Sequence, residues 1–148
     1  MMGEIKNILV AVDFGNDDQL LLKHAIQMAK PVGAKIWVVH IAAPDPDFVG
    51  YEPGPQYIRD FRASDLRKEH KTLKDYADIC GHSAIEAEGL LIQGPTVETI
   101  LAEAVKLNID LFVVGNHKHG FLHNLFNENT PIELAKKANV PVLIVPGA

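Results

Sequence analysis

The chain has 148 residues, 47% of them hydrophobic, which suits one domain spanning 1–148 with a sizeable core. A net charge of −5 and a pI near 5.7, with no basic stripe, argue against nucleic acid or an anionic membrane surface as a partner. Cys80 is the lone cysteine, so no disulfide can close within the chain. The opening MMGEIKNILVAVDF is unlike a secretory signal, and no apolar run nears membrane-spanning length. These features read as a soluble cytoplasmic protein.

The first element is NILVAV, residues 7–12, a short β-branched run expected as a strand buried on both faces. Residues 13–18 break it with Gly15, Asn16 and aspartates, and Asp17 and Asp18 read as helix-start charges. Leu21, Leu22, Ala25, Met28, Ala29 and Val32 then recur at helical spacing, with Gly33 as the stop. KIWVVHI, residues 35–41, is a second buried strand. Residues 42–55 hold four prolines and two glycines and read as a surface loop.

A long amphipathic helix is expected over 56–81, its apolar stripe carrying Ile58, Phe61, Leu66, Leu73, Tyr76, Ala77 and Cys80. Residues 84–92 form a third strand, where Glu86 and Glu88 alternate with apolar neighbours as at a sheet edge. Gly94 and Pro95 turn the chain into a third helix marked by Val97, Ile100, Leu101, Ala104 and Val105. Residues 111–114 form a fourth strand. Thr130, Pro131 and Glu133 open the last helix, with Thr130 as cap, Pro131 in the first turn and Glu133 completing a capping box. VLIV, from Val142 to Val145, is the fifth strand. Strands separated by helix-length segments imply parallel crossovers, hence a doubly wound, three-layer α/β/α sandwich. A ligand would then sit at the carboxyl end of the strands.

The segments NILVAVDF, WVVHI, GPTVETIL, IDLFVVGNHKHG and KKANVPVLIVP, in this order and spacing, resemble the universal stress protein family over essentially the whole length. The resemblance implies a Rossmann-like sheet of the adenine-nucleotide-hydrolase-like type, five parallel strands in the order 3-2-1-4-5 with four helices. It also implies a homodimer paired through the last strand, Val142 to Val145, and, in many members, bound ATP or AMP. Carried onto this chain, the cofactor-binding positions are Ala11, Val12 and Asp13 at the first strand, the main chain at Val39 and Ile41, then Gly115, His117, Lys118, Gly120, Asn129 and Thr130. In such relatives the residue matching Asp13 lies by the adenine and ribose. On its own, Asp13 reads equally well as a cap of the first loop.

The nucleotide-binding loop of the family runs Gly, two residues, Gly, nine residues, Gly, then Ser or Thr. Here those positions are Gly115, Lys118, Glu128 and Asn129, so one glycine of three is in register and Gly120 falls two places late. Converging main-chain N–H groups and a helix N-terminus bind phosphate. Glu128 opposes this by roughly 1 kcal/mol in water and more in a drier site, and Pro131 removes a donor. Lys118 acts the other way.

His117, His119 and His123, with His40 nearby, have no specific metal-ligand spacing, and no metal is expected. Cys80 reads as core, and neither Ser64 nor Ser83 lies in a nucleophile elbow. No magnesium-binding carboxylate cluster stands by the loop, so binding of nucleotide is expected ahead of its turnover. If the last strand is an edge, a two-fold copy of itself would satisfy it. Two readings follow: a stress-response module that binds ATP or AMP, or a nucleotide-independent homodimer that signals to protein partners of unknown identity.

Overall fold

The computed structural model describes residues 4–42, 56–116 and 129–147, with residues 56–63 as backbone only. The elements are β1 (Asn7–Ala11), α1 (Asp18–Ala29), a 3₁₀ turn (Lys30–Val32), β2 (Lys35–Ala42), α2 (Gln56–His82), β3 (Ala87–Gln93), α3 (Thr96–Leu107), β4 (Leu111–Asn116), α4 (Thr130–Lys137) and β5 (Val142–Pro146). The strands form one sheet in the order β3-β2-β1-β4-β5, and every neighbouring pair is parallel. Both the three-layer arrangement and the 3-2-1-4-5 order expected above are therefore found.

Alternation along β1 divides the core. Ile8, Val10 and Val12 pack with Leu21, Leu22, Ala25 and Leu73 on the side of α1 and α2. Leu9 and Ala11 pack with Ile100, Phe112 and Leu134 on the side of α3 and α4. This is why NILVAV reads as continuously apolar: successive side chains enter opposite layers, and both layers are covered. Each fully buried Leu, Ile or Phe contributes on the order of 1.5–3 kcal/mol.

Element ends follow local backbone chemistry. Gly33 takes φ +67° and closes the 3₁₀ turn after α1, the left-handed stop that glycine supplies without a Cβ penalty. The third strand starts later than the expected residue 84. Ala84 lies in the left-handed region at φ 63°, and its N–H bonds to the Gly81 carbonyl at 3.0 Å, so residues 83–84 finish the α2 turn before pairing begins. β3 is an edge strand, as its alternating glutamates indicated. The last helix also starts differently. The Glu133 N–H bonds to the Asn129 carbonyl at 2.8 Å, which makes Asn129 the N-cap, and Asn129 makes no side-chain cap bond. Thr130 is the first helical residue, so the Thr130–Glu133 capping box does not form. The loop read over 42–55 begins one residue late, because Ala42 still belongs to β2; its remainder, 43–55, and the glycine-poor loop at 117–128 lie outside the described residues.

Gly89 sets how closely α2 approaches β3. A Cβ at this position would lie 2.8 Å from the Leu73 Cβ and 2.9 Å from the Leu73 carbonyl oxygen, so the helix backbone itself blocks it. Gly89→Ala is expected to cost about 1–3 kcal/mol through overpacking, read by urea denaturation. Gly81→Ala, where nothing lies within 4 Å, is the control and should not destabilise, since alanine favours helix. Equal stability of the two variants would show that the α2–β3 contact is not tight.

Candidate functional site

The sheet order places β1 beside both β2 and β4. The chain leaves β1 for helices on one face and arrives at β4 from helices on the other, so a crevice opens at the carboxyl ends of β1 and β4. Asp13 lies there, 9% exposed, just past the end of β1. Ala11 and Val12 are buried beneath it. The Val12 N–H donates to the Val39 carbonyl at 2.9 Å. Main-chain groups of alternate residues in a strand face the same way, so those of Ile41 also point to the β1 side, beyond where β1 ends. Val10 pairs with Val113, and the same register brings Gly115 level with Val12.

Asn129 is exposed and Thr130 is buried at the start of α4. The structure thus gathers Ala11, Val12, Asp13, Val39, Ile41 and Gly115 along one sheet edge. His117, Lys118 and Gly120, together with Glu128, His119 and His123, lie outside the described residues. A groove of about 450 Å³ between α3 and the region after α4, lined by Val105, Phe112 and Lys137 among others, contains none of these positions.

The turn after β1 is built around two carboxyl groups. The Gly15 N–H donates to Asp13 Oδ1 at 2.8 Å, an Asx-type turn that satisfies the main chain from the side chain two residues back. A Cβ on Gly15 would stand 2.9 Å from that same oxygen, so glycine permits the contact. Phe14 between them is held at φ 64°, a conformation that costs a non-glycine residue roughly 1–2 kcal/mol. Its ring packs at 4.2 Å on His40 and 6.4 Å from Tyr76. His40 is buried, and its Nδ1 lies 2.9 Å from the Val12 carbonyl. A carbonyl only accepts, so Nδ1 carries the hydrogen.

Asp18 opens α1, as its reading as a helix-start residue expects, but its side chain is 1% exposed, a burial the sequence reading did not assign. The Tyr76 hydroxyl donates to its Oδ2 at 2.9 Å, and the Asp13 N–H reaches its Oδ1 at 3.4 Å. The signal was present: Asp18 falls in line with Leu21, Leu22 and Ala25 at spacings of three, four and seven, on the buried stripe of α1. Burial raises the Asp18 carboxyl from 3.8 to about 6, and the neighbouring Asp13 charge adds to the rise. Hydrogen bonds from Tyr76 and from the main chain of Asp13 and Phe14 pull the other way. Burial, then the Asp18 carboxyl, hold the Tyr76 phenol far above its usual range. Cys80 is fully buried on α2 and burial pushes its thiol up to about 11, which makes it core and not a nucleophile.

The Asp18 shift fixes a pH dependence of stability. Unfolded, the group titrates at 3.8; folded, at about 6. The native state holds the proton more tightly, so this contribution is complete below the unfolded value. It is lost as pH rises through about 6, on the order of 3 kcal/mol in all. Asp18→Asn keeps one acceptor and one donor without titrating. Its stability relative to the native chain should therefore climb between about pH 4 and pH 7.5, by ~1–3 kcal/mol, in urea denaturation. Parallel pH profiles would refute the assignment.

The universal stress protein family model matches residues 4–146. Universal stress protein C of Salmonella typhimurium is 30% identical over 143 residues, covering 95% of this chain and 94% of that protein. Universal stress protein UspA from Lactobacillus plantarum superposes with a TM-score of 0.75 at 17% identity, covering 97% of this chain and 99% of that one. The universal stress protein from Archaeoglobus fulgidus in complex with dAMP superposes with a TM-score of 0.67 at 21% identity, covering 98% and 99%. With its sheet order, its carboxyl-edge crevice and a family match over nearly its whole length, the chain belongs to the universal stress protein family.

Proposed function

We propose that this chain is a cytoplasmic stress-response module that binds ATP or AMP at the carboxyl ends of β1 and β4 and works as a homodimer. The observation that carries the binding half is Asp13: a carboxylate at the switch point of the sheet, oriented by the Gly15 N–H. An ionised carboxylate accepts hydrogen bonds only, so it suits the amino or hydroxyl groups of an adenosine better than a phosphate. Open main-chain edges at Ile41 and Gly115 would complete the cradle. The Archaeoglobus fulgidus relative bound to dAMP supports this ligand class. Lys118 would meet the phosphate, with Glu128 opposing it. The site is read as one for binding and release. Among the described residues, no helix is long and apolar enough to cross a membrane, which supports the location.

Calorimetric titration with AMP and ATP tests this reading. Asp13→Ala should weaken AMP at least about tenfold, the ~1.4 kcal/mol expected for a lost charge-assisted hydrogen bond. Glu128→Gly should tighten it by removing a like charge. If the native chain and Glu128→Gly both fail to bind either nucleotide, the nucleotide reading is wrong.

The second reading, a nucleotide-independent dimer, draws on β5. It is the other edge of the sheet. Its Ile144 is 38% exposed, and Val142 and Leu143 are half-buried. An edge strand with apolar side chains is open to pairing with a second copy about a two-fold axis. Ile144→Lys, which places a charge on that edge, should shift the native dimer to monomer in sedimentation equilibrium. A dimer of unchanged affinity would move the interface elsewhere.

A further inference from the structure

The carboxyl edge of the sheet carries a second polar feature, on the far side of β2 from Asp13. Gly94 and Pro95 lead from β3 into α3, and the Gly94 N–H bonds to the Ala42 carbonyl at the end of β2 at 3.3 Å. Gly94 takes φ +151°, and a Cβ there would collide with Thr99 Oγ1. The N-cap position is Pro95, and no side chain caps the helix. Proline itself has no N–H. The Thr99 N–H is taken by the Pro95 carbonyl at 2.9 Å. The N–H groups of Thr96, Val97 and Glu98 precede that first bond and have no intrahelical acceptor. Among the described residues, no main-chain carbonyl outside α3 accepts them.

Thr96 adds an independent sign of a ligand. It is 7% exposed, and among the described residues its buried Oγ1 has no hydrogen-bond partner. A hydroxyl buried without a partner is unfavourable, and native structures seldom leave one so. Every Cα–Cβ bond of a helix tilts toward the N-terminus. Thr96 is the first residue of α3, so no turn of the helix lies beneath its hydroxyl, which faces the same end as the three N–H groups. Thr99, one turn on and on the same face, shows that direction, since its Oγ1 lies over Gly94. We propose that the start of α3 binds a tetrahedral oxyanion of the phosphate class, held by the N–H groups of Thr96, Val97 and Glu98 and by the hydroxyls of Thr96 and Thr99.

The donor set selects the ligand. Free N–H groups at a helix start present the positive end of the helix dipole to an anion. Each hydroxyl adds a donor whose hydrogen rotates to suit its partner. A planar carboxylate has two oxygens to receive these donors, whereas a tetrahedral oxyanion directs its oxygens to several of them at once. Glu98 is the opposing charge: it lies in the first turn of α3 but is exposed, where water weakens its effect. Helix α3 packs on β2, and α4 packs on β4 and β5, so the two helix starts flank β1 from opposite sides. An oxyanion at α3 therefore neither requires nor displaces a nucleoside at Asp13.

Inorganic phosphate is the probe, titrated at constant ionic strength so that screening does not change. The amide resonances of Thr96, Val97 and Glu98 are the readout, and in the native chain they should shift together and saturate. Thr96→Val keeps the side-chain shape without the hydroxyl. It should weaken phosphate about tenfold, as for a lost hydrogen bond to a charged group, and Thr96→Ser should retain binding. Glu98→Gln should tighten it about two- to fivefold by removing a like charge from the helix start. Thermal unfolding separates a binding hydroxyl from a merely structural one. Without phosphate, Thr96→Val should melt no lower than the native chain, because the hydroxyl it removes has no partner. Phosphate should then raise the melting temperature of the native chain more than that of the variant. Once phosphate saturates the α3 amides, AMP and adenosine distinguish the sources. A response to AMP that adenosine lacks adds the phosphoryl group of a nucleotide, and silence to AMP restricts the site to the free anion. Amide shifts that never saturate, saturation at Ile132 and Glu133 of α4 in their place, or equal affinity in Thr96→Val would each overturn the proposal. Should Thr96→Val not fold, Glu98→Gln decides: tighter binding upholds the site, and unchanged or weaker binding overturns it.

Discussion

Burial of β1 on both faces is the constraint from which the rest follows. Every residue from Ile8 to Val12 is at most 3% exposed, so helices must cover the sheet on each side. A parallel sheet in turn needs a crossover after every strand. With β1 in the middle, the chain builds outward to β2 and β3, then returns past β1 to β4 and β5. That reversal separates the helices at one edge and leaves a crevice. The polar residue that ends the β1 run, Asp13, lies where the covering layers part.

Most of this was legible because two-sided burial writes itself as uninterrupted apolar runs. NILVAV, KIWVVHI and LFVV need no alternation, and turn residues between them mark the helices. The edge position of β3 was also legible, since Glu86 and Glu88 tolerate one solvated face. Legibility failed where a residue's local and tertiary roles diverge. Asp18 has the local chemistry of a helix start, and α1 does begin at it, yet its side chain is enclosed by α2. Helical phase alone could have placed it on the buried stripe; its bond to Tyr76, 58 residues away, could not be read from either segment. Thr130 shows the smaller version. A Thr-Pro-x-Glu pattern fits a capping box, but the helix starts one residue earlier than that box requires.

The candidate site divides along the same line. Its main-chain edges at Ile41 and Gly115 are consequences of topology, whereas the Val39 carbonyl is already taken by the Val12 N–H. Its side-chain chemistry is particular to this chain. Asp13 rests on Gly15, and Gly15 is needed because a Cβ would press on the very oxygen its N–H serves. Phe14 is an unexpected occupant of a left-handed position, where glycine would cost nothing sterically. It stays because its ring fills the space between His40 and Tyr76, so aromatic packing offsets the backbone cost.

A net charge of −5 and two carboxyls in one turn are a poor starting point for holding an anionic ligand. The chemistry is consistent only if the two ends of the ligand are treated differently. The carboxyl turn faces donors, which an adenosine supplies through its amine and hydroxyls. Under the proposed function, the phosphate would fall to Lys118, with Glu128 opposing it. A second charge at Asp18 serves neither end. It gives no ligand contact, it opposes the charge Asp13 must carry, and 1% exposure leaves water little part in screening it. Burial beside Asp13 favours the neutral form of Asp18, while the two hydrogen bonds it accepts, from the Tyr76 hydroxyl and the Asp13 N–H, favour the ionised one. A buried acid that only packed would be better replaced by an apolar side chain; Asp18 instead ties the β1–α1 turn to α2 through the two hydrogen bonds it accepts.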